Sequence, residues 1–153
     1  MTDKHFPDLE TLADYIVTAR HRTTTAGPRP QVHNSEDAYR LLVPYVADAD
    51  REHFYGVYLS TKNHVLAVEL VSLGTLTASI VHPREVYKPA FLHSAASLLV
   101  AHNHPSGDPT PSPEDQEFTR RLAQAGELLG IRLLDHLILG DDTYVSLRER
   151  GAF

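Results

Sequence analysis

A chain of 153 residues with a formal charge of −6 and no cysteine reads as one globular domain, long enough to bury a sizeable core. The acidic balance and the lack of long basic runs argue against non-specific binding to a phosphate backbone. Without thiols there are neither disulfides nor thiolate ligands. No apolar stretch reaches the ~18 residues of a membrane span. The start, Met1-Thr2-Asp3-Lys4-His5-Phe6-Pro7, has no apolar signal core. The expectation is a cytoplasmic protein with no membrane partner.

In chain order, Leu9, Leu12, Ala13 and Ile16 repeat at helical spacing and predict a helix over 7–21. Residues 22–34 hold Thr, Gly and Pro without periodicity and read as a linker. This divides the chain into a helix and linker over 1–34 and a main domain over 35–153. Ser35-Glu36-Asp37-Ala38 opens a second helix, capped by Asn34 or Ser35, with Ala38, Leu41, Leu42 and Tyr45 on one face and Pro44 as a kink or stop. Residues 52–60 and 65–71 are rich in strand formers and flank a Lys62-Asn63 turn, so they predict a hairpin. A third strand is expected over 76–81, and a helix from Pro83 to about Ser94. Ser97–Ala101 is the expected central strand. Pro113–Leu129 is a helix with Phe118, Leu122, Ala125 and Leu129 on one stripe and Gly130 ending it. Residues 131–139 and 144–147 are closing strands. The pattern is α/β or α+β, a mixed β-sheet flanked by helices.

The chemistry concentrates between that central strand and the following helix, in Ala101-His102-Asn103-His104-Pro105-Ser106-Gly107-Asp108-Pro109-Thr110-Pro111-Ser112-Pro113-Glu114-Asp115. Residues i and i+2 of an extended chain point the same way, so His102 and His104 can aim both imidazoles at one point. Asp115, in the first turn of the helix, can be folded back onto that point by the proline-rich loop. Two imidazoles and a carboxylate leave a fourth position open, as catalytic zinc sites require, and the set suits zinc better than calcium or magnesium. Asn103 points away from the metal by strand alternation. Asp135-His136 are read either as partners that orient a ligand imidazole or as a polar pair at a strand centre. His82 and His93 are not read as ligands.

The spacing H-x-H-x(7)-S-x(2)-D formed by His102, His104, Ser112 and Asp115 resembles the JAMM motif of JAB/MPN metalloproteases. His102-Asn103-His104-Pro105-Ser106-Gly107, with Val81-His82-Pro83-Arg84-Glu85-Val86 and Leu134-Asp135-His136-Leu137-Ile138, is similar to the bacterial RadC branch over roughly residues 35–153. The resemblance implies a cytidine-deaminase-like JAB/MPN sandwich and one Zn2+ per chain. It also implies a metal-activated water attacking an amide carbonyl, in a peptidase or isopeptidase acting on a protein or peptide. Full-length RadC-type proteins carry a helix-hairpin-helix module ahead of this domain, and the stretch in front of it here is too short for one.

Such a hydrolase needs a general base. Glu52, Glu69 and Glu85 precede the histidines, and the resemblance singles out Glu52, at the edge of the first strand with Gly56 nearby. Ser112 reads as a helix cap; the resemblance instead gives its hydroxyl to the oxyanion. The alternatives are a nucleic-acid-linked repair role, which the charge does not support, and a non-catalytic scaffold, which intact ligands count against. A zinc deaminase needs H-x-E and a cysteine pair, and this chain has no cysteine. The amphipathic first helix leaves a homodimer open.

Overall fold

The structure, a computed structural model, describes residues 27–74 and 81–153. The helix expected over 7–21 and most of the strand expected over 76–81 lie outside the described residues. Among the described residues three helices accompany a five-stranded mixed sheet. In chain order these are α1 (Ser35–Val46), β1 (His53–Leu59), β2 (Val65–Leu73), α2 (Pro83–Leu92), β3 (Ser97–Asn103), α3 (Pro113–Leu129), β4 (Arg132–Leu139) and β5 (Tyr144–Ser146). The strand order is β2-β1-β3-β4-β5. Only the β3–β4 pair is parallel, and α3 makes the crossover that parallel neighbours require. This is an α/β fold of the JAB/MPN kind.

Local chemistry sets the boundaries. Asn34 caps α1, its side chain accepting from the Asp37 amide, and the helix runs past Pro44 to Val46. Asn63, at φ 59°, makes the β1–β2 turn; Asn is among the few non-glycine residues that tolerate this conformation. Residues 30–32 lie against that turn. The Val32 amide donates to the Asn63 carbonyl and the Val65 amide to the Pro30 carbonyl, and Val32 is buried. Pro113 opens α3 and Gly130, at φ 71°, closes it.

The central strand β3 is buried along its whole length, and its alternation divides the core in two. Leu98 and Val100 pack with Phe54 and Tyr58 of β1, Val86 and Tyr87 of α2, and Phe118 and Leu122 of α3. Leu99 and Ala101 pack on the other face with Val57, Leu137 and the α1 residues Ala38 and Leu42. The buried stripe of α3 is Asp115, Phe118, Thr119, Leu122 and Gly126. Leu129, placed on that stripe by spacing alone, is 41% exposed. Gly126 takes the inward position because an added Cβ would meet the Tyr87 hydroxyl at 2.4 Å and the Ile131 carbonyl oxygen at 2.5 Å.

One irregularity decides the site. The β3–β4 register pairs Leu98 with Leu133 but Val100 with His136. β4 therefore carries one extra residue opposite β3, a β-bulge. Strand neighbours in register share a face. Without the bulge Asp135 would share the face of Val100 and His102; with it, His136 does.

Candidate metal centre

His102 is the last but one residue of β3 and is fully buried. The Phe54 ring stacks beside its imidazole with centroids 6.1 Å apart, and also meets the Phe118 and His136 rings edge-on at 5.6 Å. Aromatic rings thus wall the inner side of His102. His104 lies one residue beyond the strand, where its amide donates to the Leu139 carbonyl at 2.9 Å. The loop after it docks on the β4–β5 turn. Gly107, at φ 81°, accepts from the Asp141 amide, and a Cβ on Gly140 would lie 2.3 Å from the Gly107 carbonyl oxygen. Only glycine at 140 allows that approach. Asp108 then turns the chain by accepting from the Thr110 amide and hydroxyl.

Asp115 is delivered by the start of α3. Its Oδ2 accepts from the Ser112 amide at 2.8 Å, while the Ser112 hydroxyl accepts from the Asp115 amide at 3.1 Å. This reciprocal capping box fixes the carboxylate rotamer. The hydroxyl is an acceptor in the cap, so its own proton is not consumed there.

The three side chains converge. His102 Nε2 lies 3.0 Å from His104 Nε2 and 3.3 Å from Asp115 Oδ1, and His104 Nε2 lies 3.6 Å from Asp115 Oδ2. Zinc ligands ~2.0–2.1 Å from a common tetrahedral centre stand about 3.3–3.4 Å apart, so the spacing fits such an ion. Among the described residues these three form the one group able to hold a metal in this way.

The outer partners fix the protons. The Thr119 hydroxyl donates to the Asp115 carbonyl at 2.6 Å and lies 2.6 Å from His136 Nδ1. Its single proton is spent, so His136 Nδ1 carries the hydrogen of the second contact. His136 Nε2, 2.9 Å from His102 Nδ1, is then the acceptor, and His102 Nδ1 the donor. His104 Nδ1 donates to the Asp108 carbonyl at 2.8 Å. Both histidines thus present Nε2 lone pairs to each other and to a carboxylate. Three electron-pair donors this close require a shared cation, either a proton or a metal ion.

The electrostatics agree with that assignment. Burial, reinforced by its histidine neighbours and opposed by Asp115, pushes His102 well below the ordinary imidazole pKa. Burial likewise lowers His136 to about 4. Asp115 holds His104 above its ordinary value against partial burial, and Glu52 adds to the effect. For Asp115 burial works upward, but His104, His102 and the Ser112 groups outweigh it and hold the carboxyl far below the usual range. His104 is the cluster's partly open member, its side chain 17% exposed. A cavity of about 270 Å3 lies beside it, walled by Val43, Val46, Ala47 and Leu139.

The remaining sequence candidates separate clearly. Glu52 is half-buried at the entry to β1, near enough to act on His104 electrostatically. Glu85 pairs with Arg84 on the exposed start of α2. Glu69 pairs with His93 at 2.7 Å. His82 caps α2 through Nδ1. Of the Asp135-His136 pair, only His136 touches a ligand. Asp135 points away and accepts from the His136 and Arg148 amides and the Ser146 hydroxyl. Thr119 escaped the sequence reading; its only signal was a hydroxyl four residues after Asp115.

A mixed sheet carrying a His-His-Asp cluster where its central strand hands over to a helix defines a JAB-type α/β domain. A family model of the RadC-like JAB domain matches residues 32–152, and the chain belongs to that family. It is 54% identical over 125 residues to a UPF0758 protein of Shouchella clausii, covering 82% of this chain and 54% of the relative. A UPF0758 protein of Methanosarcina mazei is 47% identical over 139 residues, covering 91% and 61%. One from Bacillus velezensis is 48% identical over 143 residues, covering 94% and 62%. The chain thus spans little more than half the length of these relatives. No described helix is long and apolar enough to cross a membrane.

Proposed function

We propose that this domain is a JAMM-type zinc hydrolase that cleaves an amide bond in a protein or peptide, as a peptidase or isopeptidase. The observation that carries the reading is the convergence of the His102 and His104 Nε2 lone pairs with the Asp115 carboxylate, at separations of 3.0, 3.3 and 3.6 Å. A zinc ion held there would act as a Lewis acid on a carbonyl and acidify a water. His136 fixes the neutral His102 tautomer that has its lone pair on Nε2, and the Asp108 carbonyl does the same for His104. Glu52 is the general base: a carboxylate oxygen takes a proton from the attacking water and delivers it to the leaving nitrogen. The Ser112 hydroxyl proton, left over from the helix cap, stabilises the oxyanion. The alternative nucleic-acid role gains no support from a formal charge of −6.

The test is Glu52→Gln, assayed for zinc content and for cleavage of a peptide library. The variant should keep its zinc and lose hydrolysis, by a factor of roughly 100 or more. Cleavage at the wild-type rate would remove Glu52 from the mechanism.

A further inference from the structure

Asn103 stands between the two histidines yet faces away from them, and it is buried. Both ends of its side-chain amide are engaged. Oδ1 accepts from the His53 amide at 2.7 Å, and Nδ2 donates to the Arg51 carbonyl at 3.0 Å. These two backbone groups flank Glu52 on either side. The β1–β3 ladder pairs Phe54 with His102, so in the same register His53 would oppose Asn103 and Glu52 would oppose His104. β1 starts at His53, and beyond that point the Asn103 side chain supplies the hydrogen bonds. A third tie comes from β2's end, where the Gly74 amide donates to the Glu52 carbonyl at 2.8 Å.

We propose that Asn103 is a positioning residue, which brackets the Glu52 backbone and so holds its carboxylate beside the His102–His104–Asp115 cluster. The inference rests on Glu52 being the base. Residue 103 has the backbone of a metal-bearing strand and the side chain of a clamp on the strand that bears Glu52. Movement of one strand edge against the other therefore has to break two part-buried hydrogen bonds, and a misplacement of ~1 Å at a catalytic group can cost roughly 100-fold in rate. The requirement is for a short side chain with adjacent donor and acceptor. Asp keeps the acceptor for His53 but loses the donor to Arg51; Ala loses both.

The test uses the full chain loaded with cobalt(II), whose unpaired electrons broaden nearby nuclear resonances. In the wild type the Glu52 side-chain signals should be broadened relative to the zinc-loaded protein. In Asn103→Ala that broadening should fall while zinc affinity stays at the wild-type level, because the ligands and their hydrogen-bond partners are untouched. Asn103→Asp should fall between the two and gives the answer if the Ala variant does not fold. Once a cleavable peptide is found, kcat should drop with KM unchanged, and Asn103→Ala should cost nothing further in the Glu52→Gln background. Unchanged broadening, or a loss of zinc affinity as large as that of a ligand variant, would overturn the positioning role. A wild type that binds zinc and cleaves nothing would sink the hydrolase reading, and the resonance measurement would still decide the clamp.

Discussion

On one face of β3, Leu98 and Val100 lead up to His102, and through it to His136, Thr119 and Asp115. On the other, Leu99 and Ala101 lead up to Asn103 under the apolar side of α1. Both faces are equally buried, so burial does not distinguish them. The difference lies in what the burial does. On the α1 face it mostly stabilises, because hydrocarbon surrounds the few buried polar groups there, Asn103 and Asp135 among them. On the α3 face it strips water from His102, His136 and Asp115 and pushes those two imidazoles toward the neutral form, while Asp115 pulls the less buried His104 the other way. Among the described residues no buried side-chain nitrogen or oxygen lacks a partner, so the polar face is tolerated at full hydrogen-bond satisfaction. Stability and metal binding should therefore be separable by face.

Neighbouring residues of β4 offer the sharpest division. Leu137 is completely buried on the α1 face, and Leu137→Ala should cost about 2–5 kcal/mol in denaturant unfolding, with zinc affinity of the folded protein intact. A matching loss of zinc affinity would show that the faces are coupled. The pH dependence of the metal-stripped protein comes next. His136, lowered to about 4, and His102, also lowered, take up protons in the unfolded chain at pH values where the folded chain refuses them. Both therefore remove stability as pH falls below ~6.5. His104, raised by Asp115, works the other way: its contribution is present below ~6.5 and is lost as pH rises through its folded value. With two groups against one, thermal melting of the stripped protein should occur at lower temperature near pH 4.5 than near pH 7. A flat profile would contradict the buried neutral pair.

His136→Leu removes the acceptor that fixes the His102 tautomer, and should weaken zinc binding by about 10–100-fold in competition with a chelator. Unchanged affinity would make His136 a packing residue. The smallest effect is expected at Ser112. Ser112→Ala removes the cap of α3 and should cost about 1 kcal/mol. A fall in turnover far beyond what that destabilisation explains would establish the oxyanion role, and loss of stability alone would leave only the cap.

Much of this was legible in the sequence because it is governed by local chemistry. Pro113 and Gly130 mark the ends of α3 in both readings, and the His102-x-His104 spacing needs only strand alternation. What escaped depends on long-range register. Asp135 and His136 are interchangeable on paper; a bulge between Leu98 and Val100 of β3 and their β4 partners chooses between them. Leu129 fits the helical stripe but is exposed, because α3 turns Asp115, Thr119 and Gly126 inward, residues that a hydrophobic pattern does not count. Asn103 turns its amide away from the two histidines, as strand alternation predicts, but nothing in the sequence shows that Arg51 and His53 lie beneath it.

His102, His104 and Asp115 are expected to hold one zinc ion. The most direct test is elemental analysis of the protein purified without added zinc, beside the double variant His104→Ala, Asp115→Ala. About one zinc per chain is expected in the wild type and none in the double variant. A folded wild type that carries no metal, even after zinc is offered, would contradict that expectation.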